Sequence, residues 1–178
     1  MDRKIIVIAT ASVAVLAIAF AYVVTMKPAT STALYVSPQT VQGTVGQNFT
    51  VGIIVSNVAD LYAWQLKLSW NAAMLDAVNV TEGAFLNSGS NNTFFSPLLN
   101  NTAGYFLADC TLLGDTSGVS GQGVLVTIQF YVKASGACDL NLDNTVLINT
   151  SVQTITHTVT SGHFSTQASL ELDYSFFS

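Results

Sequence analysis

The sequence predicts an all-β protein, a jelly-roll sandwich of about nine strands behind one N-terminal transmembrane helix, and three observations predict it. From Ala33 onward, apolar and polar residues alternate with a period of two in one segment after another, as in strands with one buried face. No amphipathic helix of any length can be drawn after Lys27. Ile5 to Val24 is an uncharged run of 20 residues behind Arg3 and Lys4, long enough to span a bilayer with the basic end inside.

The domain plan follows from these signals. Residues 1–27 form the signal-anchor helix, 28–32 a linker, 33–166 the sandwich and 167–178 a C-terminal strand or tail. Ala19 and Ala21 also satisfy a small-x-small cleavage rule, so the segment fits either a retained anchor or a removed signal. The expected location is the cell membrane, single-pass with an extracellular domain, or the medium if the segment is cut.

Within the sandwich, Ala33 to Ser37 is the first strand, ended or set at an edge by Pro38. Phe49, Val51, Ile53 and Val55 then share one face of a strand, and Tyr62, Trp64, Leu66, Leu68 and Trp70 share one face of the next, two aromatic-rich inner surfaces able to pack across a core. Val78 and Val80 start a third strand that stops at Glu82-Gly83. Asn87 to Asn101 reads as a turn-rich excursion with a small apolar core of Phe94, Phe95, Leu98 and Leu99, one short strand between loops. Gly104 to Leu113 is a strand with Phe106, Ala108, Cys110 and Leu112 inward. Gly114 to Gly123 is a glycine-rich loop that leads into a strand, so it lacks the helix N-terminus a phosphate cradle needs. Val124, Val126, Ile128, Phe130 and Val132 alternate inward, and Asp139 to Ile148 adds one or two strands. Thr154 to Thr166 is expected to be a hairpin about Ser161-Gly162 that turns His157 and His163 to opposite faces. Gln167 to Ser178 alternates once more, with no partner assigned.

Charge excludes one class of function. Beyond Lys27 the chain has nine acids and two bases, a formal net of 2 minus 9, or −7, with no basic patch to hold nucleic acid. With so few charges, Ser, Thr, Asn and Gln must supply most of the hydration, and glycans on the sequons at Asn48, Asn79, Asn91, Asn100 and Asn149 would add to it. Cys110 and Cys138 both fall on inward faces. Outside the cell such a pair is expected to oxidise, closing a loop of about 28 residues and stabilising the fold by roughly 3–4 kcal/mol; the alternative is two buried free thiols acting as small hydrophobes.

Enzymatic chemistry finds no purchase. Neither a Ser-His-Asp nor a Cys-His set can be drawn, and the acids Asp60, Asp76, Glu82, Asp109, Asp115, Asp139 and Asp143 are scattered. No cofactor is expected; Asp139 and Asp143, near Asn141 and Asn144, offer oxygens to Ca²⁺ but lack the glycine and terminal glutamate of an EF-hand loop. Leu61, Tyr105, Leu107, Leu125 and Tyr131 fall on otherwise polar faces and would mark a contact surface, with Tyr105 and Tyr131 as a sugar-stacking platform.

Several motifs in order resemble a known family. Gly46 with Val51, Trp70-Asn71, Leu75 with Val80 and Gly83, and Gly123-Val124-Leu125 with Ile128 and Phe130 are similar to the cohesin domain across about Ala33 to Thr166. The resemblance implies a nine-stranded jelly roll related to carbohydrate-binding modules, a non-catalytic role, and capture of a calcium-loaded dockerin by one sheet face. On that face the matching strands would present Ala63, Gln65 and Lys67 with Tyr105, Leu107 and Asp109, to which Tyr131 is added as an exposed ring. Asn71 stands where many members carry an acid. A single such unit on a membrane stalk suggests a surface module that binds a dockerin-like or envelope protein, or a polysaccharide. A second reading has the C-terminal tail inserting into a neighbouring copy to build a filament by strand addition.

Overall fold

The computed structural model describes residues 31–88 and 91–167, and every regular element among them is a β-strand. There are ten: β1 (Ala33–Ser37), β2 (Thr40–Gly43), β3 (Asn48–Ser69), β4 (Leu75–Glu82), β5 (Thr93–Asn100), β6 (Tyr105–Leu112), β7 (Val119–Val132), β8 (Ala137–Asn149), β9 (Thr158–Thr160) and β10 (Gly162–Thr166). The apolar segment 5–24, on which the anchor rests, and the tail beyond 167 lie outside the described residues.

One long strand organises the rest. The two strands expected on either side of Ser56 are a single 22-residue β3 that changes partners midway. Residues 48–55 lie between β1 and β7, and residues 63–69 lie between β6 and β8. One layer is therefore β4-β7-β3-β1-β9 and the other β5-β6-β3-β8-β10-β2, with the ladder continuous through β3. A strand that serves both sheets of a sandwich has to bend, and bulges are how it does so. Here Asn57 (φ 52°) and Asp60 (φ 58°) take up the left-handed conformation, which Asn and Asp tolerate better than other side-chain-bearing residues. Ties fix the bend: the Asp60 amide donates to Ser120 Oγ (2.9 Å), and the Thr150 amide and hydroxyl donate to Asp60 Oδ2 (3.3 and 2.6 Å).

The interior is filled from both layers. Phe49 stacks on Phe130 within its own layer (5.4 Å between centroids) and on Phe164 of the other (4.8 Å), while Trp70 meets Phe130 edge-on at 4.9 Å. Each such pair adds about 0.5–1.5 kcal/mol to its area burial. Trp70, buried, also donates its indole N–H to the Leu75 carbonyl (3.0 Å).

Bulges account for the faces that alternation misplaces. Leu61 and Leu125, expected outside, are fully buried: Leu61 follows the two register shifts of the β3 bend, and Leu125 is the extra residue between the Ile53–Val126 and Ile54–Val124 pairs. Likewise β4 starts at Leu75, and Val78 is the unpaired bulge residue between Ala77 and Asn79, half-exposed. The loop 114–123 is shorter than expected because β7 begins at Val119. The expected hairpin about Ser161-Gly162 is absent: β9 runs parallel to β1 in one layer, and β10 joins β8 and β2 in the other. The chain crosses between layers there, and Ser161 Oγ accepts from the Leu142 amide (3.1 Å). A similar crossing at the cis Ser37-Pro38 bond separates β1 from β2.

Every free edge of the sheets is blunted. β2 and β9 are four and three residues long. On β4 the Asn101 carboxamide occupies the edge, accepting from the Ala77 amide (2.8 Å) and donating to its carbonyl (2.9 Å). On β5 the Leu113 amide bonds the Asn92 carbonyl (2.9 Å), so by alternation Phe94, Ser96 and Leu98 bond β6 while Thr93, Phe95, Pro97 and Leu99 turn their backbone groups to the free edge. Proline, with no N–H, sits in the middle of that edge.

Candidate functional site

The registers of β5, β6, β3 and β8 set the side chains of one outer face in four rows. They are Phe94–Thr111–Ala63–Ile148, Ser96–Asp109–Gln65–Val146, Leu98–Leu107–Lys67–Asp143 and Asn100–Tyr105–Ser69–Asn141. Alternation buries the residues between them, Trp64, Leu66 and Leu68 on β3 and Phe106, Ala108 and Cys110 on β6, so the core forces this second set outward. Five of the six expected face residues, Gln65, Lys67, Tyr105, Leu107 and Asp109, are thus brought together.

Tyr131 is not among them. It lies on β7 between Asn48 and Asp76, on the outer face of the other layer, so Tyr105 and Tyr131 cannot form one sugar platform. The sequence placed a strand within 87–101 and one or two over 139–148 but not their membership of this face. Phe94 (59% exposed) and Leu98 (53%) are not a small buried core but the outer face of an edge strand, and Val146 and Ile148 line the opposite flank. The signal was present in the alternation of Phe94, Ser96, Leu98 and Asn100, hidden by the apolar pairs Phe94-Phe95 and Leu98-Leu99.

The face mixes apolar side chains with uncharged polar ones and three charges, Lys67, Asp109 and Asp143. Lys67 faces Asp143 (3.9 Å) and lies 5.6 Å from the Tyr105 ring centroid, an exposed ion pair and cation–π contact of modest strength. A shallow depression of about 220 Å³ opens between the first two rows, lined by Ala63, Gln65, Phe94, Asp109, Val146 and Ile148. A larger cleft of about 570 Å³ lies beyond the end of β4, bordered by Glu82, Ser88, Ser120, Gln122 and Thr127. Its one aromatic ring, Phe85, is buried and offers no stacking surface.

The cohesin domain model matches residues 34–166. The chain belongs to the cohesin domain family. Cellulose-binding protein A of Clostridium cellulovorans is 30% identical over 115 residues, 63% of this chain but only 6% of that protein's length. Among solved structures, a non-cellulosomal cohesin from Archaeoglobus fulgidus superposes with a TM-score of 0.66 at 17% identity, over 80% of this chain and 95% of that one. The sixth cohesin of scaffoldin B from Acetivibrio cellulolyticus, solved with a Cel5 dockerin mutant, gives 0.63 at 17% identity over 78% and 100% of the two chains. The Clostridium thermocellum OlpA cohesin, solved with the dockerin Doc918, gives 0.65 at 14% over 78% and 100%. The cohesin fold is a non-catalytic protein-interaction module.

The remaining expected sites of this cohesin domain are dispersed. Cys110 and Cys138 are free thiols rather than a disulfide. Cys110 pairs with Trp64 on one side of β3, whereas on the other side Asn141 pairs with Ser69 and Cys138 lies three residues beyond it, which separates the two by roughly 26 Å of extended strand. Both face inward, but at opposite ends of the sandwich, far beyond disulfide reach. Burial first, and the neighbouring Glu82 second, push the Cys110 thiol up to about 12; its S–H donates to Glu82 Oε1 (3.5 Å). Burial also raises Cys138, against the Asn71 backbone contact.

Asp139 and Asp143 stand about 13 Å apart on β8 and face different partners, His163 Nδ1 (2.8 Å) and Lys67, so they do not converge on one ion. His157 is held elsewhere, by Thr145 Oγ1 and the Ile155 carbonyl (both 2.9 Å). Among the described residues no three His, Cys, Asp or Glu side chains gather as a metal site. Of the sequon asparagines, Asn48 and Asn79 are exposed. Asn91 donates to the Leu86 carbonyl (3.2 Å), and Asn100 and Asn149 cap turns through their side-chain oxygens.

Proposed function

We propose that this cohesin domain docks a dockerin-type protein partner on the outer face of β5, β6, β3 and β8, and that the apolar segment 5–24 holds it at the cell surface. The observation that carries the reading is the four-row face itself. Two apolar groups, Leu98, Leu107 and Tyr105 at one end and Ala63, Val146 and Ile148 at the other, with Phe94 at the edge, are set among Gln65, Lys67, Asp109, Asp143 and uncharged polar side chains, on a sheet whose backbone is already paired. Such a face suits one side of an amphipathic helix, and a protein partner rather than a sugar, since Tyr105 is the one aromatic ring there besides Phe94 and is already engaged by Lys67. The cohesins of Acetivibrio cellulolyticus and Clostridium thermocellum named above were solved with dockerins, which supports the choice of partner. Glycans on the exposed Asn48 and Asn79 would leave this face open.

Strand addition finds less support. Pro97, the Asn101 carboxamide and the shortness of β2 and β9 leave no long open edge to receive a donated strand.

The test is retention of a panel of calcium-loaded dockerin modules, with cellulose and other polysaccharides in parallel, by the immobilised chain. At least one dockerin should be retained, Leu107→Asp should weaken it about 100-fold by replacing an apolar contact with a carboxylate that docking must desolvate, and Tyr131→Asp should change nothing. Retention of a polysaccharide with no dockerin bound would overturn the reading.

A further inference from the structure

The depression between the first two rows carries a property that the docking face as a whole does not specify. Its walls are largely aliphatic and aromatic, Ala63, Phe94, Val146 and Ile148, with Gln65 and Thr111 between them, and its one carboxylate is Asp109. The two lysines among the described residues are both engaged with other acids, Lys67 with Asp143 (3.9 Å) and Lys133 with Asp76 (2.8 Å), as is His163 with Asp139 (2.8 Å). Asp109 therefore meets no cation of its own sheet. Its neighbours across the ladder are Ser96 and Gln65, which can bond a carboxylate but cannot neutralise it. A partner that covered this face with apolar side chains alone would desolvate the carboxylate without compensation, which is costly.

The shape and the charge together select one kind of side chain. We propose, on the footing of the docking reading, that the depression is a socket for a lysine or arginine of the docked protein: its alkyl stem lies against Phe94, Val146 and Ile148, and its cationic head meets Asp109. Long basic side chains bury their methylenes along apolar surface while keeping the head in a polar site, the combination these two rows provide. The volume of about 220 Å³ admits one such side chain and excludes a helix backbone. The socket makes Asp109 the specificity residue of the face: Leu107 and Leu98 contribute apolar contact to any partner, whereas Asp109 rewards a basic residue at one position and penalises an acidic one.

Two measurements on the full chain test this. In the first, N-acetyl-lysine N-methylamide is titrated by NMR against its uncharged isostere, N-acetyl-norleucine N-methylamide. The lysine probe should shift the amides of Ala63, Asp109 and Val146 saturably and bind at least about fivefold more tightly, and Asp109→Asn should erase the difference. Equal binding of the two probes, or a preference that survives Asp109→Asn, overturns the socket. In the second, the retained dockerin is titrated against Asp109→Asn and Asp109→Lys. A loss of about tenfold in the first variant, greater in the second and shrinking at high salt, supports the socket; unchanged affinity in both variants refutes it while leaving the docking face standing. Lysine-probe binding at Ala63 and Val146 with no dockerin retained separates the other way: the docking reading falls and the cation socket remains.

Discussion

Cys110 shows how a buried residue writes its environment into a pH profile. Its thiol sits under Trp64 and Phe95 beside the Glu82 carboxylate, and burial and that carboxylate both oppose the thiolate, raising its pKa from 9.0 to about 12. In the unfolded chain the group ionises near its ordinary value, so its contribution to stability is complete below about pH 9 and declines as pH climbs towards the folded value. The expected result is that chemical denaturation of the native chain loses stability faster between pH 9 and 11 than that of Cys110→Ala, and that the two respond alike below pH 8. Gly83 answers to a steric constraint instead. A Cβ there would fall onto the Val124 carbonyl, with backbone rather than a yielding side chain in the way, and the Gly83 amide already donates to Leu125 O (2.9 Å). Gly83→Ala should cost about 1–3 kcal/mol in the same denaturation measurement, whereas Gly114→Ala, with open space around its Cβ but a φ of 86°, should cost less.

At the scale of strands, the alternation of apolar and polar residues located most of the elements. It placed Trp64, Leu66, Leu68, Phe106, Ala108, Phe130 and Leu140 in the core because on an unbroken strand the period of two leaves no other choice. It failed wherever an extra residue entered a ladder. The bend at Asn57–Asp60 shifts the register twice and the bulges at Leu125 and Val78 once each, and nothing in local composition marks a bulge as distinct from a turn. Crossings between layers were equally illegible. Ser161-Gly162 has the composition of a tight turn, but β9 pairs with β1 while β10 pairs with β8 and β2, in different sheets. The edge of β5 yields a prediction at this scale. Pro97→Val restores the missing donor between Phe95 and Leu99 and completes a hydrogen-bonding edge beside exposed Phe94 and Leu98. This variant is expected to fold with unchanged far-UV dichroism yet self-associate in sedimentation velocity at concentrations where the native chain does not; equal sedimentation of the two would mean that proline is not what protects this edge.

For the molecule as a whole, the two layers divide the labour. The β4-β7-β3-β1-β9 layer carries Asn48, Asn79, Tyr131 and the Lys133–Asp76 pair outward, while the β5-β6-β3-β8 face sets Phe94, Val146 and Ile148 around the Asp109 carboxylate. Half of that face was legible in the sequence, since β3 and β6 keep a clean phase and each exposes the residues their cores reject. The other half was not, because membership of a face depends on which strands lie side by side, and that is decided by registers over long sequence separations, β5 to β6 and β3 to β8, rather than by any local pattern. Tyr131 was misassigned for the same reason: outward it is, but on the other side of the core. The most direct measurement of the central claim is amide hydrogen exchange of the full chain with and without its retained dockerin. Docking on this face should slow exchange only in segments 63–69, 94–100, 105–111 and 141–148 and leave the strands at 48–55, 75–82 and 124–131 unchanged; protection centred on the latter three would place the partner on the other layer.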